Sequence, residues 1–147
     1  MLMPSSNIER FDEITAQLFS TLYQNFPVPV FLAAGNFVSP ATQYSKVRRY
    51  DVASEEAEFW AACVIWLQEA GYIRYESHES LTASFWEVVL SPKGLEVLNS
   101  IPDSLSGKDT IGDQLVDAAR TGATDLLKEG VKTALAKGVM LMGSAFS

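Results

Sequence analysis

The first strong pattern in the chain is helical. From Ile8 to Phe26, apolar residues recur at steps of three and four, at Phe11, Ile14, Leu18, Leu22 and Phe26. This spacing predicts an amphipathic helix that buries one stripe, with Asn7 as its N-cap. Pro27 and Pro29 predict its end, because proline lacks an amide donor and disfavours helical geometry in the residue before it.

A second helix is predicted from Glu55 to Ala70. Ser54 is a suitable N-cap, the glutamates after it favour the positive end of a helix dipole, and Gly71 marks the stop. Its middle, FWAACVIWLQ, is apolar almost all round, which predicts that the helix is covered on two sides and forms the centre of the fold. Residues 28–53 contain several turn signals and are predicted to be an irregular connection with one short element.

Two short strands and a short helix follow in the pattern. GYIRYES (71–77) alternates apolar and polar residues as a half-buried strand does, and SFWEVVL (84–90) is predicted to return beside it after a polar turn, HESLTA. Ser91 and Pro92 then have the N-cap and first-turn chemistry of a helix start. This helix is predicted to run to about Ser100.

The C-terminal part of the chain carries a row of small residues. After a linker-like stretch, PDSLSGKDT (102–110), Thr110 and Asp113 have capping-box spacing, and helical periodicity continues to about residue 140. Glycines recur every eight residues in this predicted helix, with alanines and a leucine between them, at Ala118, Gly122, Leu126, Gly130, Ala134 and Gly138.

The glycines of this row need an explanation, because each costs about 1 kcal/mol of helix stability relative to alanine. Close approach of another helix offsets such a cost, since small residues let two backbones come together. We therefore predict a helix–helix interface at these six positions. Packing on the chain's own core, a break of the helix at a glycine and contact with a membrane surface are the alternatives.

Composition limits the chemistry of the chain. Its 147 residues include a single cysteine, Cys63, and a single histidine, His78, so it cannot form an internal disulfide or a typical zinc site of four Cys and His ligands. Eleven basic against eighteen acidic residues give a net charge of -7, which disfavours nucleic acid as a partner. The first residues lack the pattern of a secretory signal, and no apolar run reaches about 18 residues. We expect a cytoplasmic protein without a membrane span.

No residue pattern predicts catalysis. Cys63 lies among apolar residues of a predicted helix and His78 lies in a predicted turn, so they are a poor nucleophile and base. The glycines of GVKTALAKG lack the spacing of a phosphate-binding loop, and the carboxylates form no acid–base motif. The aromatic residues around Trp60 and Trp66 favour core packing over a ligand pocket. We expect no enzymatic activity, no metal and no cofactor.

The order of the elements and two short motifs resemble the winged-helix superfamily. WLQEAGYI (66–73) resembles the end of the third helix entering the first wing strand, and LSPKGLEVL (90–98) resembles the second wing strand entering the next helix. The resemblance covers about residues 8–101. It implies an α+β fold, with a winged-helix-like core of helices and a two- or three-stranded β-hairpin wing in residues 1–102. A linker and a helical C-terminal extension would then occupy residues 103–147.

The resemblance bears on function through the second predicted helix. In DNA-binding winged helices, the helix that matches residues 55–70 enters the major groove with basic and amide side chains. Here it contains no Lys or Arg, and the candidate nucleic-acid contacts lie outside it, at Lys46, Arg48, Arg49 and Arg74. We therefore predict a non-catalytic protein-interaction or regulatory module whose C-terminal helix contacts a protein partner or a second copy. A DNA-binding transcriptional regulator that acts as a dimer is the alternative.

Overall fold

The computed structural model describes residues 6–100 and 109–146, with side chains to residue 141, and confirms the α+β class. In chain order the elements are α1 (Asn7–Asn25), β1 (Val30–Ala33), a 3-10 turn (Ala34–Asn36), β2 (Thr42–Ser45), β3 (Tyr50–Ala53), α2 (Glu55–Glu69), β4 (Ile73–Arg74), β5 (Ser77–Glu79), β6 (Ser84–Leu90), α3 (Pro92–Leu98), α4 (Ile111–Thr121) and α5 (Thr124–Phe146). Most of the predicted linker, residues 102–108, lies outside the described residues.

Short polar side chains begin the helices. The hydroxyls of Ser54, Ser91 and Thr110 each accept a hydrogen bond of 3.0 Å from the backbone amide three residues on, and Asp113 completes the predicted capping box with Thr110. The N-cap predicted for α1 was wrong by one residue. Its cap is Ser6, whose hydroxyl accepts from the Glu9 amide at 3.1 Å, and Asn7 is the first helical residue.

The larger sheet is built around β6. β1 pairs with one side of it and β4 and β5 pair with the other, all antiparallel. The strand predicted over residues 71–77 is thus split into β4 and β5, and β5 extends into the segment predicted as a turn. A bulge in β6 lies between the two registers of β1, so that Phe85 and Val88 both face the core.

Residues 42–53 contradict the prediction of an irregular connection with one short element. β2 and β3 pair antiparallel in a separate two-stranded sheet, with Thr42 opposite Ala53 and Ser45 opposite Tyr50. The Ser54 amide donates to the Ala41 carbonyl at 2.9 Å and closes the base of this hairpin. The hairpin therefore leads directly into α2.

The C-terminal helix predicted to continue to about residue 140 is interrupted, which agrees with the alternative of a break at a glycine. α4 ends at Gly122, which adopts a left-handed conformation (φ 75°), and α5 begins two residues later. Glycine adopts this conformation readily, and the Gly122 amide donates to the Ala118 carbonyl as a helix C-cap. The break lets α4 and α5 pack against each other and against α1.

The core lies between α1, α2, the larger sheet and the two C-terminal helices. Its largest fully buried side chains include Phe19 of α1, Trp60 of α2, Phe85 of β6, Leu98 of α3 and Leu115 of α4. Among residues 6–100 and 109–146, no helix has the length and apolar character needed to cross a membrane.

Candidate functional site

α2 buries one side in the core and leaves the opposite face open to solvent. Trp60, Val64 and Leu67 are fully buried. On the opposite side Ala62 is exposed and Trp66 is 48% exposed. The apolar character of α2 predicted cover on two sides, whereas the structure leaves a large aromatic ring accessible.

This open face contributes to an apolar groove between α2 and the start of α1. The groove has a volume of about 360 Å³, and we call it the α1–α2 groove; its lining residues are Asn7, Ile8, Phe11, Phe59, Ala62, Cys63 and Trp66. Phe11 and Trp66 meet edge to face with ring centroids 5.2 Å apart. The Arg10 guanidinium lies 3.9 Å above the Phe59 ring, at cation–π distance.

Cys63 lines this groove as an apolar residue. Only 4% of it is exposed, and burial raises the pKa of its thiol to about 11. At neutral pH the thiol is therefore protonated, and a protonated thiol is a poor nucleophile. His78 lies on β5, where its ring stacks on Phe85 with centroids 5.3 Å apart.

Carboxylates flank the apolar part of the α2 face. Residues at steps of four and three share one helix face, and here this face carries a glutamate at each end and apolar residues between them, at Glu55, Phe59, Ala62, Trp66 and Glu69. Glu58 is also exposed on this side. Within the described residues, none of the three glutamates forms an ion pair. The rim of the groove on α2 is thus acidic.

The β2–β3 hairpin carries three of the four candidate nucleic-acid contacts. Lys46, Arg48 and Arg49 lie in its tip with Val47, all four exposed, and we call residues 42–53 the basic hairpin. Ser45 holds the tip together, because its side-chain oxygen accepts from the Arg48 amide at 3.1 Å and its carbonyl from the Arg49 amide at 2.8 Å. The cations are therefore presented together on an ordered turn.

Arg74, the fourth candidate, belongs to a different sheet. It is exposed on β4 and pairs with Val89 of β6. The structure thus brings three of the predicted contacts together on one turn and leaves Arg74 on the larger sheet.

The predicted row of small residues in the tail lies mainly against the chain's own core. Ala118 and Ala134 are buried. A Cβ at Gly130 would lie 2.7 Å from Cδ2 of Leu115, and one at Gly138 would lie 2.6 Å from Cε1 of Tyr72. Gly122 caps α4, so of the six positions Leu126 is the large apolar side chain left in solvent, 65% exposed.

Two features of these surfaces were not predicted from the sequence. The groove could have been found from the spacing of Glu55, Phe59, Ala62, Trp66 and Glu69, because acidic residues at both ends of an apolar stripe are unusual on a face covered by the core. The exposure of Val47 depends on the hairpin, which the pattern of residues 42–53 did not predict.

Among the described residues, no group of three His, Cys, Asp or Glu side chains is placed to bind a metal ion.

Comparison with known proteins adds no relative: no family model, no curated protein and no solved structure matches this chain.

Proposed function

We propose that this protein is a non-catalytic interaction module that binds a protein at the α1–α2 groove. The observation that carries the proposal is the exposure of Trp66 in an apolar groove that two helices share. Tryptophan is enriched among the residues that dominate binding energy in protein interfaces. A contiguous exposed apolar surface with a polar rim is typical of an interaction site.

The scaffold that we propose is of the winged-helix type. The order helix, strand, helix and hairpin agrees with this assignment, and β6 lies between β1 on one side and the β4–β5 segment on the other. One feature departs from DNA-binding members. A helix-turn-helix places another helix directly before its recognition helix, whereas the residues before α2 form the basic hairpin. This departure favours a role other than insertion of α2 into a DNA groove.

In this proposal the C-terminal helices belong to the core and do not form the main binding surface. Four of the six positions of the predicted interface are occupied by intramolecular packing at Ala118, Gly130, Ala134 and Gly138. The remaining apolar side chain of the row, Leu126, is one exposed side chain, whereas several apolar side chains line the groove together. We therefore assign the main contact to the α1–α2 groove and treat Leu126 as the competing position.

Site-specific photocross-linking in the cells that make the protein tests the proposal. A photoreactive residue in place of Ala62 should yield a discrete adduct with a protein, and Trp66→Asp in the same chain should abolish it. The matched control places the same residue at Leu126. Absence of an adduct at position 62, or equal adducts at both positions, would refute a specific contact in the groove.

A DNA-binding regulator is the second candidate, favoured by the clustering of Lys46, Arg48 and Arg49 on one exposed turn. Against it stand the net charge of -7 and the small number of cations, since specific DNA-binding proteins often make about 6 to 10 phosphate contacts. Titration of a labelled mixed-sequence duplex, followed by fluorescence anisotropy, tests this candidate. Binding that weakens steeply with salt and is lost in Arg48→Glu/Arg49→Glu would support it, and no binding at low salt would exclude it.

A further inference from the structure

We propose that the basic hairpin of one copy of this chain docks into the α1–α2 groove of a second copy. The inference rests on the proposed function of the groove and names its occupant. Two surfaces of the same chain, each unexplained by its own packing, are complementary in charge and in apolar character.

The hairpin projects from the body of the protein. Its burial decreases from the base, where Ala53 is 5% exposed, to the tip, where Val47 is 92% exposed. Strands of four residues extend about 13 Å, which separates the tip from the base of the hairpin. Tyr44 and Tyr50 are 63% and 46% exposed on the strands behind it. An exposed valine on the tip and two exposed tyrosines behind it form an apolar surface that no other part of the described chain covers.

Charge selects the groove as the site for this tip. The tip carries three cations, and α2 presents Glu55, Glu58 and Glu69 around its apolar face with no Lys or Arg in the helix. On the α1 side, the Arg10 guanidinium lies over the Phe59 ring, so the negative charge that would meet the tip is on α2. Within the described part of the chain, neither set takes part in an ion pair. Complementary charges of this kind orient two surfaces and raise their rate of association, whereas like charges oppose wrong partners.

The hairpin tip that docks into the groove comes from a second copy of the chain. Among the residues that the structure describes, none covers the tip of the chain's own hairpin or closes its own groove. Since both surfaces belong to one chain, two copies can exchange them reciprocally and make the same contact twice. A reciprocal exchange closes as a two-fold symmetric dimer, so we expect dimers rather than open chains.

Light scattering coupled to size-exclusion chromatography of the full chain, over a range of protein concentrations, tests the inference. The wild-type protein should form a dimer whose dissociation constant rises at least about tenfold between low and high salt, because the contact depends on charge. Arg48→Glu/Arg49→Glu should be monomeric, and so should Glu58→Lys/Glu69→Lys. Circular dichroism establishes that each variant is folded.

Mixing the two variants gives the sharpest outcome. An acidic hairpin from one variant then meets a basic groove on the other, and the second contact of the pair is wild-type in charge. An equimolar mixture should therefore recover the dimer that neither variant forms alone. The matched control, Glu96→Lys/Glu129→Lys, makes the same change in net charge at two exposed glutamates away from the groove and should dimerise like the wild type.

Several results would overturn self-docking. They are a wild-type chain that stays monomeric at all concentrations, charge variants that dimerise normally, and a mixture that stays monomeric. If the monomeric chain instead binds DNA through Arg48 and Arg49, the hairpin is a nucleic-acid contact. The photocross-linking experiment distinguishes failure of self-docking from failure of the proposed function. If the adduct at position 62 contains a protein other than a second copy, self-docking is wrong but the groove still binds a protein. If no adduct forms, both the proposed function and self-docking are wrong.

Discussion

Glu87 is the residue in β6 whose backbone departs most from a strand. Its φ is 57°, in the left-handed region, and it lies at the bulge that separates the two registers of β1 on β6. The bulge places Trp86 and Glu87 next to each other on the exposed side, so that Phe85 and Val88 both reach the core. Trp86 then contacts Phe31 of β1, with ring centroids 5.2 Å apart.

Replacing Glu87 with glycine should stabilise the protein. A non-glycine residue in the left-handed region costs roughly 1 to 2 kcal/mol, part of which the greater chain entropy of glycine in the unfolded state cancels. We expect Glu87→Gly to raise the free energy of unfolding, measured by urea denaturation, by roughly 0.5 to 1 kcal/mol. The control, Glu79→Gly on β5, lacks a positive φ and should lower it by a similar amount. A loss of stability in Glu87→Gly would argue against strain at the bulge.

Asp12 is a buried carboxylate at the contact between α1 and α5. It is 4% exposed, and burial raises the pKa of its carboxyl group above the usual range, although Lys132 and Lys128 oppose the rise and Glu9 adds to it. Between the usual and the raised pKa, the folded state binds more protons than the unfolded state. The contribution of Asp12 to stability is therefore largest at acidic pH and decreases as the pH rises through the folded-state pKa.

Asp12→Asn isolates this effect, because asparagine does not titrate. The free energy of unfolding of the wild type, relative to that of the variant, should fall as the pH is raised from about 3 to 7. Urea denaturation of both proteins across this range provides the measurement. A difference that instead grows in favour of the wild type with rising pH would mean that attraction to the lysines outweighs burial.

At the scale of the elements, α5 is held against the rest of the protein by a close approach at Gly138. The Tyr72 ring occupies the space where a side chain at this position would begin. Tyr72 is itself confined: it is 3% exposed, its hydroxyl donates to the Leu135 carbonyl at 3.3 Å, and the Lys93 ammonium lies 4.4 Å from its ring centre. The glycine is therefore explained by contact with Tyr72 of the same chain.

The variant Gly138→Ala tests whether contact with Tyr72 or helix propensity decides the effect of a side chain at this position. Propensity alone would stabilise the helix by about 1 kcal/mol, but an added Cβ must displace a confined ring, which typically costs about 1 to 3 kcal/mol. We expect a net decrease in the free energy of unfolding, measured by thermal and urea denaturation. Ala136→Gly, at an exposed position of the same helix, reports propensity alone and should cost about 1 kcal/mol. A stabilised Gly138→Ala would contradict close packing at this site.

At the scale of the whole molecule, the C-terminal helices complete the core that α1 begins. Both pack along α1, and Lys128 of α5 lies 3.5 Å from the Glu9 carboxylate and 3.4 Å from that of Glu13. Four large apolar side chains of these helices are buried, at Ile111, Leu115, Leu127 and Val131. Burying four such side chains stabilises a fold by about 6 to 12 kcal/mol, comparable to the whole stability of a typical domain.

The fragment 1–102 should therefore lose cooperative folding, although the resemblance suggests a boundary at residue 102. Thermal unfolding followed by near-UV circular dichroism should show no cooperative transition for the fragment. In the full chain, Val131→Asp should be strongly destabilised, whereas Leu126→Asp, at an exposed position of α5, should unfold like the wild type. A fragment that unfolds cooperatively at the temperature of the full chain would mean that residues 1–102 form an independent domain.

Features that depend on neighbouring residues could be predicted from the sequence. The caps at Ser54, Ser91 and Thr110, the bounds of β6 and the start of α3 at Pro92 agree with prediction, because each rests on hydrogen bonds or periodicity within a few positions. The acidic character of α2 and the basic cluster at Lys46, Arg48 and Arg49 were also apparent from the order of residues alone.

Features that depend on which segments meet required the tertiary structure. Periodicity identifies a side chain that needs cover but does not say which segment supplies it, so the exposure of Trp66 and the inward direction of Gly130 and Gly138 emerged only with α1, α4 and α5 in place. The hairpin of residues 42–53 is set by cross-strand pairing, which leaves little local signal in such short strands. The groove, on which the proposed function rests, and the hairpin tip, on which self-docking rests, are both products of this long-range packing.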